Sequence, residues 1–339
     1  MKVQGPPHLL SQIDQPSEHN TDFRPKTFDD YLGQDELKKK LQLYTKAALM
    51  RSEPLDHLLL LGPPGLGKTT LAQIMAHVLD VGIKICSGPM LERTGDLVAL
   101  LSGLQPRDIF FIDEIHRIPI TVEEVLYSAM EHYNVDVIIG QGAGAQSINL
   151  PLAPFTLIGA TTKPALLSAP LRSRFGITER IDFYKDNELQ QIVIQNATFL
   201  GLTLEDEAAL AIAQSARGTP RIAKKIVRRI RDYAQVHAKK RIDTKVIHEA
   251  LAMLGIDKDG LTALDHAILT TMATKFGGGP VGLETIASIV GEDSTTIEGV
   301  YEPFLIRKGF IEKTPRGRQI PAKALLYLQK AKHGQTSIV

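Results

Sequence analysis

The chain has little of what several specialised protein classes require. It carries one cysteine, Cys86, among 339 residues, which excludes an intramolecular disulfide and any metal site built on cysteine. That cysteine falls in the apolar run 83–86, where a free thiol behaves as a small core hydrophobe. The formal net charge is only +1, so binding to nucleic acid would have to come from local basic patches. No apolar run approaches the ~20 residues of a membrane span, and the N-terminal stretch lacks the apolar core of a signal peptide. The chain therefore reads as cytoplasmic, with no membrane association. What remains is ordinary for a soluble globular protein: 43% hydrophobic and 23% charged residues. The length suggests roughly two to three domains.

Residues 62–69 read GPPGLGKT and meet the phosphate-loop template G-x-x-x-x-G-K-[ST]. Four leucines at 58–61 precede it as a short buried strand, and residues 70–76 follow as a helix, which is the setting the motif requires. Gly62, Gly65 and Gly67 let the backbone turn so that several N–H groups point inward at a helix N-terminus, a site for polyphosphate. Lys68 then reaches the β- and γ-phosphates, and the Thr69 hydroxyl ligates a Mg²⁺ ion that bridges them.

A second strand is expected at 83–87 and a helix over 96–104. The apolar run 109–112 then ends in Asp113 and Glu114, a buried parallel strand with acids at its carboxyl end, where open α/β sheets hold ligands. Asp113 is placed to bind Mg²⁺ through water, and Glu114 to orient the attacking water. Another strand at 156–160 leads into Thr161 and Thr162, either of which is suited to sensing a γ-phosphate. Arg172 and Arg174 are surface charges or, since arginine stabilises transferring phosphoryl groups, one of them acts on a nucleotide from outside its pocket.

From 186 to about 255 the pattern is helical. Thr219 is the expected N-cap of a helix with Pro220 at its first position, and Ile222, Ile226 and Ile230 form its buried stripe. Arg221 sits in the first turn, where the helix dipole disfavours a cation and an anionic partner would explain it. Lys224, Lys225, Arg228, Arg229 and Arg231 on the same helix read as a solvated face in preference to a nucleic-acid surface. Beyond the break at 257–260, helices are expected at 264–276, 283–290 and 295–308, the last broken or bent near Pro303. A hairpin at 310–313 and 318–320 completes a winged helix. Residues 307–323 hold six cations against one acid, Glu312, so the wing suits DNA, with protein binding as the alternative.

Residues 135–150 form a further hairpin signal, with apolar residues on both sides and a Gly-rich turn at 140–144. Such a hairpin either packs on its own domain or offers a sticky surface to a partner. The ten histidines are scattered, so no metal other than Mg²⁺ is indicated. A protein-remodelling motor would want an aromatic pore loop, and none is visible.

Taken in order, FRPKTFDDYLGQ, GPPGLGKTT, FFIDEIHR, IGATT, LRSRFG, RGTPRIA, GGGPVGL, YEPFLI and TPRGR resemble the RuvB family of AAA+ ATPases, from about residue 23 to residue 324. The phosphate-site motifs are widely shared, whereas the last three segments are specific to that family. The resemblance implies an α/β fold in three parts: a P-loop AAA+ parallel-sheet domain (23–185) bearing the 135–150 hairpin, an all-α helical lid domain (186–255) and a C-terminal winged-helix domain (256–339). Residues 1–22, rich in Pro, Gln, Ser and His, read as a mobile arm outside that core. It also implies an ATP- and Mg²⁺-dependent hexameric motor on duplex DNA at Holliday junctions. Such a motor is loaded by a RuvA tetramer, with the RuvC resolvase as a further partner, and serves recombination, DNA repair and the SOS response. An ATP-switched loader without translocation is the rival reading.

By position, the resemblance assigns Gly65, Gly67, Lys68, Thr69 and Thr70 to the phosphates, Asp113 and Glu114 to the Walker-B pair, and Thr162, in preference to Thr161, to sensor 1. Arg174 matches the arginine finger acting on a neighbouring subunit's ATP, and Arg221 matches sensor 2. Phe23, Arg24 and Tyr184 match positions at the nucleotide, while Glu131, His132 and Tyr133 lie where subunits meet around it. Lys313, Arg316 and Arg318 stand at the DNA-contact positions, and Ile148 and Leu150 at the apolar contact with RuvA. Phe23 replaces a usual leucine, and Ser294 stands where many members carry a basic residue.

Overall fold

The computed structural model describes residues 23–139, 146–237, 242–257, 259–326 and 328. The expected N-terminal arm and the turn of the 135–150 hairpin lie outside the described residues. The chain divides into two compact units, Met1–Tyr184 and Lys185–Val339.

The first unit is built on a five-stranded parallel sheet in the order β2-β3-β6-β1-β7. Its strands are β1 (Leu58–Leu61), β2 (Ile83–Ser87), β3 (Ile109–Asp113), β6 (Thr156–Thr161) and β7 (Ile177–Arg180). Leu58, Leu59 and Leu60, like Ile109 to Ile112, are buried on both sheet faces, which is why these segments read as unbroken apolar runs. Four longer helices accompany them: α1 (Asp35–Arg51), α2 (Lys68–Leu79), α3 (Thr94–Leu101) and α4 (Ile120–His132), with a short α5 (Ala169–Ser173). Helix α2 starts inside the glycine-rich motif, two residues before the sequence-based start at Thr70. Cys86 is buried in the core, and that burial pushes its thiol up to about 12.

His57 ties the sheet to α4. Its Nδ1 accepts the Leu157 N–H at 2.9 Å, which leaves Nε2 as the protonated nitrogen, donating to the Met130 carbonyl at 3.1 Å. Burial holds this imidazole below its ordinary pKa, in keeping with a neutral ring.

After α4 the chain forms the hairpin of β4 (Asn134–Ile139) and β5 (Gln146–Pro151). Its register pairs Val135 with Leu150 and Val137 with Ile148, so these four side chains share one face, while Asp136 opposite Asn149 marks the other. Pairing gathers these four apolar residues on one side, and the Ile138–Ser147 pair falls on the other. Val135 at the base joins the domain core and Val137 packs against it, whereas Ile148 remains 48% exposed.

The second unit opens with four helices, α6 (Asp186–Phe199), α7 (Asp206–Ser215), α8 (Pro220–Val236) and α9 (Thr244–Met253). Thr219 occupies the N-cap position of α8 but does not cap it: its hydroxyl donates back to the Arg217 carbonyl at 3.3 Å. The buried stripe is Ala223, Ile226, Val227, Ile230 and Ala234, and Ile222 is only half-buried. A winged helix follows, with α10 (Ala263–Lys275), α11 (Leu283–Val290), α12 (Ser294–Thr296), a π-helical turn (Ile297–Tyr301), α13 (Glu302–Arg307) and the wing strands β8 (Glu312–Thr314) and β9 (Gly317–Gln319). The irregularity expected near Pro303 is a widened turn just before it. Proline has no N–H and its ring crowds the carbonyl four residues back, so a widened turn before it lets the helix continue through Pro303. Within this unit Arg217 pairs with the fully buried Asp265, whose Oδ2 also accepts the Thr262 N–H at 2.7 Å.

Candidate functional site

The glycine-rich loop leaves β1 and turns into α2 through Gly62, Gly65 and Gly67, all at positive φ. Gly67 has no alternative, since a Cβ there would stand 2.8 Å from the Tyr31 hydroxyl oxygen. That hydroxyl donates to the Leu66 carbonyl at 3.1 Å and accepts from the Tyr184 hydroxyl at 2.7 Å, so two buried tyrosines brace the loop from behind. Gly67 is the N-cap of α2 and supplies no capping side chain. The first intrahelical bond is made by Leu71, so the N–H groups of Lys68, Thr69 and Thr70 have no helical acceptor and suit an anion. Lys68 Nζ donates to the loop's own carbonyls at Gly62 (2.8 Å) and Pro63 (2.9 Å). Burial lowers its pKa, against the opposing pull of Asp113 and Glu114.

The sheet order brings the acids to this loop. β6 lies between β1 and β3, so Asp113 with Glu114 and the phosphate loop flank the end of β6, and Gly62 N–H bonds the Thr161 carbonyl at 3.2 Å. Asp113 Oδ1 accepts the Glu114 N–H at 2.9 Å. Glu114 stands at φ 50, a left-handed conformation that costs a non-glycine residue energy. Its Oε2 accepts from the Thr162 hydroxyl at 3.2 Å and lies 3.3 Å from His116 Nδ1. Thr161 instead bonds His116, at 2.9 Å. The two threonines thus have different partners, with Thr162 directly on Glu114.

The site suits Mg²⁺ in the way that ion is ordinarily held, by few protein oxygens plus substrate phosphates. Among the described residues no group of three or more His, Cys, Asp or Glu side chains is gathered for a metal.

Arg174 follows α5 and folds back on its own unit. Its guanidinium carbon lies 4.3 Å from the Tyr127 ring centroid, and Nη1 donates to the Pro170 carbonyl at 2.9 Å. Its Nε is 3.1 Å from Glu131 Oε1, yet the approach is misaligned and among the described residues Nε has no hydrogen bond. Tyr127 is fixed in turn by its hydroxyl contact of 2.5 Å to Glu123. His132 is exposed; Tyr133 is half-buried, its ring packed edge-on to Phe155 at 5.9 Å. Phe23 is half-buried and Arg24 exposed at the start of the described chain.

Three family models match in succession: "Holliday junction DNA helicase RuvB P-loop domain" over 23–181, "RuvB AAA lid domain" over 184–257 and "RuvB C-terminal winged helix domain" over 258–329. The chain belongs to the RuvB family. A Staphylococcus haemolyticus protein named Holliday junction branch migration complex subunit RuvB is 52% identical over 302 residues, 89% of this chain and 91% of the relative. Its Staphylococcus saprophyticus counterpart is 49% identical over 94% of this chain and 96% of its own length. The solved Thermotoga maritima RuvB Holliday junction branch migration motor superposes with a TM-score of 0.81 at 46% identity, covering 90% of this chain and 98% of that one.

In the wing of this RuvB-family chain, two of the three basic residues assigned to DNA stand against glutamates. Arg318 donates from Nε and Nη2 to the two carboxylate oxygens of Glu302, at 3.1 and 3.2 Å, and Glu302 is only 3% exposed. Lys313 stands 3.3 Å from the same carboxylate and 3.4 Å from Glu298. The count of one acid in 307–323 missed these glutamates because they come from the preceding helical segment. Arg316 is exposed at the tip and, among the described residues, its guanidinium has no ion-pair partner. Ser294 opens α12 behind Asp293, which caps it. Arg221 is exposed in the first turn of α8, in the second unit. Leu150 is half-buried on the hairpin face where Ile148 is exposed.

Sequence reasoning gave no role to Tyr31, His116, Tyr127 or Glu302. Tyr31 and His116 lie inside the segments FRPKTFDDYLGQ and FFIDEIHR, so position in a motif was the available signal; nothing local marked Tyr127 or Glu302.

Proposed function

We propose that this chain is the subunit of an ATP-hydrolysing, DNA-translocating ring that drives branch migration of Holliday junctions with a RuvA tetramer. The observation that supports this reading most is the convergence of the phosphate loop, Asp113, Glu114 and Thr162 in one unit of a chain that matches all three RuvB segments. Lys68 exchanges the Gly62 and Pro63 carbonyls for the β- and γ-phosphates, to which the N–H groups at the start of α2 also bond. Bound Mg²⁺, held by Thr69 and Asp113, would neutralise phosphate charge. Glu114 orients the attacking water and Thr162 links it to the γ-phosphate. Arg174 leaves Glu131 to serve the ATP of a neighbouring subunit in a hexamer, while Arg221 reports occupancy to the lid. Arg316 contacts DNA phosphates, which suits a motor that must move over any sequence.

Nucleotide binding and hydrolysis separate these roles. Lys68→Ala should lose ATP binding, whereas Glu114→Gln should hold ATP without turning it over. Rapid turnover by Glu114→Gln would remove the chemical basis of the reading.

A further inference from the structure

We propose that Tyr127 is a positioning residue for ATP hydrolysis in trans, its ring a platform on which the Arg174 guanidinium is presented to the neighbouring subunit's phosphates. The inference rests on the reading of Arg174 as the group that acts on a neighbour's nucleotide.

Glu123, Tyr127 and Glu131 recur every four residues along α4 and so share one face of that helix. Arg174 lies over this face, its guanidinium carbon 4.3 Å from the Tyr127 ring centroid and its Nε 3.1 Å from Glu131 Oε1. Stacking occupies the flat side of a guanidinium and leaves its N–H edge for acceptors, so an arginine can hold phosphate oxygens while it stays on a ring. Nη1 spends part of that edge on the Pro170 carbonyl, whereas Nη2 and Nε have no hydrogen bond among the described residues. Because Nε is not bonded to Glu131, the side chain rests chiefly on the ring and on Pro170.

Tyr127 also holds the start of the arginine's segment. Its hydroxyl donates to Glu123 Oε1 at 2.5 Å, and the Ser168 hydroxyl donates to the same oxygen, the two hydroxyl oxygens standing 3.0 Å apart. Ser168 is the N-cap of α5 and accepts the Leu171 N–H at 3.1 Å. Arg174 is the C-cap of the same short helix, and the next residue, Phe175, is buried against Gly159 of β6, where a Cβ would stand 2.9 Å from the Phe175 ring. The backbone is thus fixed on both sides of Arg174, and the long side chain is what remains to be placed. A guanidinium already lying on a ring has given up much of the rotamer freedom that a solvated arginine would lose on meeting phosphate. Among the described residues Tyr127 has no hydrogen bond to the phosphate loop, Asp113, Glu114 or Thr162, so its loss weakens the donated arginine and spares the pocket of its own subunit.

The test uses mixed oligomers of the full chain. The reference mixture joins Lys68→Ala subunits, which offer an arginine without a working pocket, to Arg174→Ala subunits, which offer a pocket without the arginine. Tyr127→Leu or Tyr127→Phe is then added to one subunit type at a time, and kcat is measured together with the affinity for a fluorescent ATP analogue. Tyr127→Leu in the arginine donor should lower kcat about 10- to 100-fold with analogue affinity retained, the same change in the pocket donor should leave kcat within about twofold, and Tyr127→Phe, which keeps the ring face, should recover most of the loss. If the reference mixture is inactive although mixed oligomers form, the reading of Arg174 fails and the inference with it. If the reference mixture is active but Tyr127→Leu in the arginine donor leaves kcat unchanged, or Tyr127→Phe is as weak as Tyr127→Leu, the inference alone is overturned. Equal losses from either subunit type, or Tyr127→Leu subunits that do not fold or enter mixed oligomers, would likewise overturn it, since a purely structural tyrosine behaves that way.

Discussion

Arg318→Ala should act on stability, and Arg316→Ala on DNA binding, although both arginines belong to the same short wing. Arg318 makes two hydrogen bonds to Glu302, whose side chain is 3% exposed, and is itself 18% exposed. Removing one partner of a buried pair leaves an uncompensated charge and costs about 3 to 5 kcal/mol. Lys313 remains 3.3 Å from Glu302, and Arg318 is partly solvated, so the loss reduces to about 2 kcal/mol. For a unit of this size that lowers Tm by about 4 to 8 °C. Arg316 is exposed without an ion-pair partner among the described residues, so Arg316→Ala should change stability by less than about 0.5 kcal/mol. It should instead reduce the slope of log affinity against log salt by about one unit on unrelated duplexes. Calorimetric melting and salt-titrated duplex binding of both variants decide the matter. Unchanged melting of Arg318→Ala, with a salt slope reduced as in Arg316→Ala, would refute the division between the two.

Three other perturbations probe separate parts of the molecule. Mixing inactive Arg174→Ala with inactive Lys68→Ala subunits should restore ATPase activity, because an arginine finger is worth about 10³ to 10⁵ in rate and a mixed ring pairs an intact pocket with an intact finger; mixed oligomers without activity would contradict action in trans. Ile148→Thr with Leu150→Thr should fold and hydrolyse ATP but lose RuvA binding, as Val135 and not Ile148 anchors the hairpin to the core; a variant that binds RuvA normally would move the docking site elsewhere. Burial depresses the folded-state pKa of His57, so its contribution to stability is complete above the unfolded value of about 6.5 and is lost as pH falls toward and through the lower folded value, by up to about 1.4 kcal/mol per pH unit. His116 adds a slope of the same sign. Denaturant midpoints at pH 7.5 and 5.5 should therefore converge in His57→Gln relative to the parent, and an unaltered difference would show that the ring is not held neutral.

The nucleotide machinery was legible in the sequence because each part is a local pattern: four leucines, a glycine-spaced lysine and an apolar strand ending in two acids. The sheet order then brings these local patterns to one end. What escaped depends on partners distant in the chain. Tyr31 and Tyr184 meet at the Leu66 carbonyl, and no spacing rule links them. The two threonines after β6 were left open because only the fold shows that Thr162 reaches Glu114 while Thr161 reaches His116. Thr219 carried a valid capping signal, overridden by the turn at Arg217. In the wing, a count of charges could not foresee that Glu302 lies beneath Arg318. The hairpin's faces became definite only with its register, which an alternating pattern leaves undetermined.

The central claim is that ATP hydrolysis by this chain moves DNA through a junction. Its most direct test is conversion of a synthetic four-way junction to migrated products by the full chain with a RuvA tetramer. Products are expected with ATP and Mg²⁺, and none with Glu114→Gln or with a non-hydrolysable ATP analogue. Equal migration with the analogue would make ATP an assembly switch, and vigorous hydrolysis on junction DNA without migration would contradict a motor.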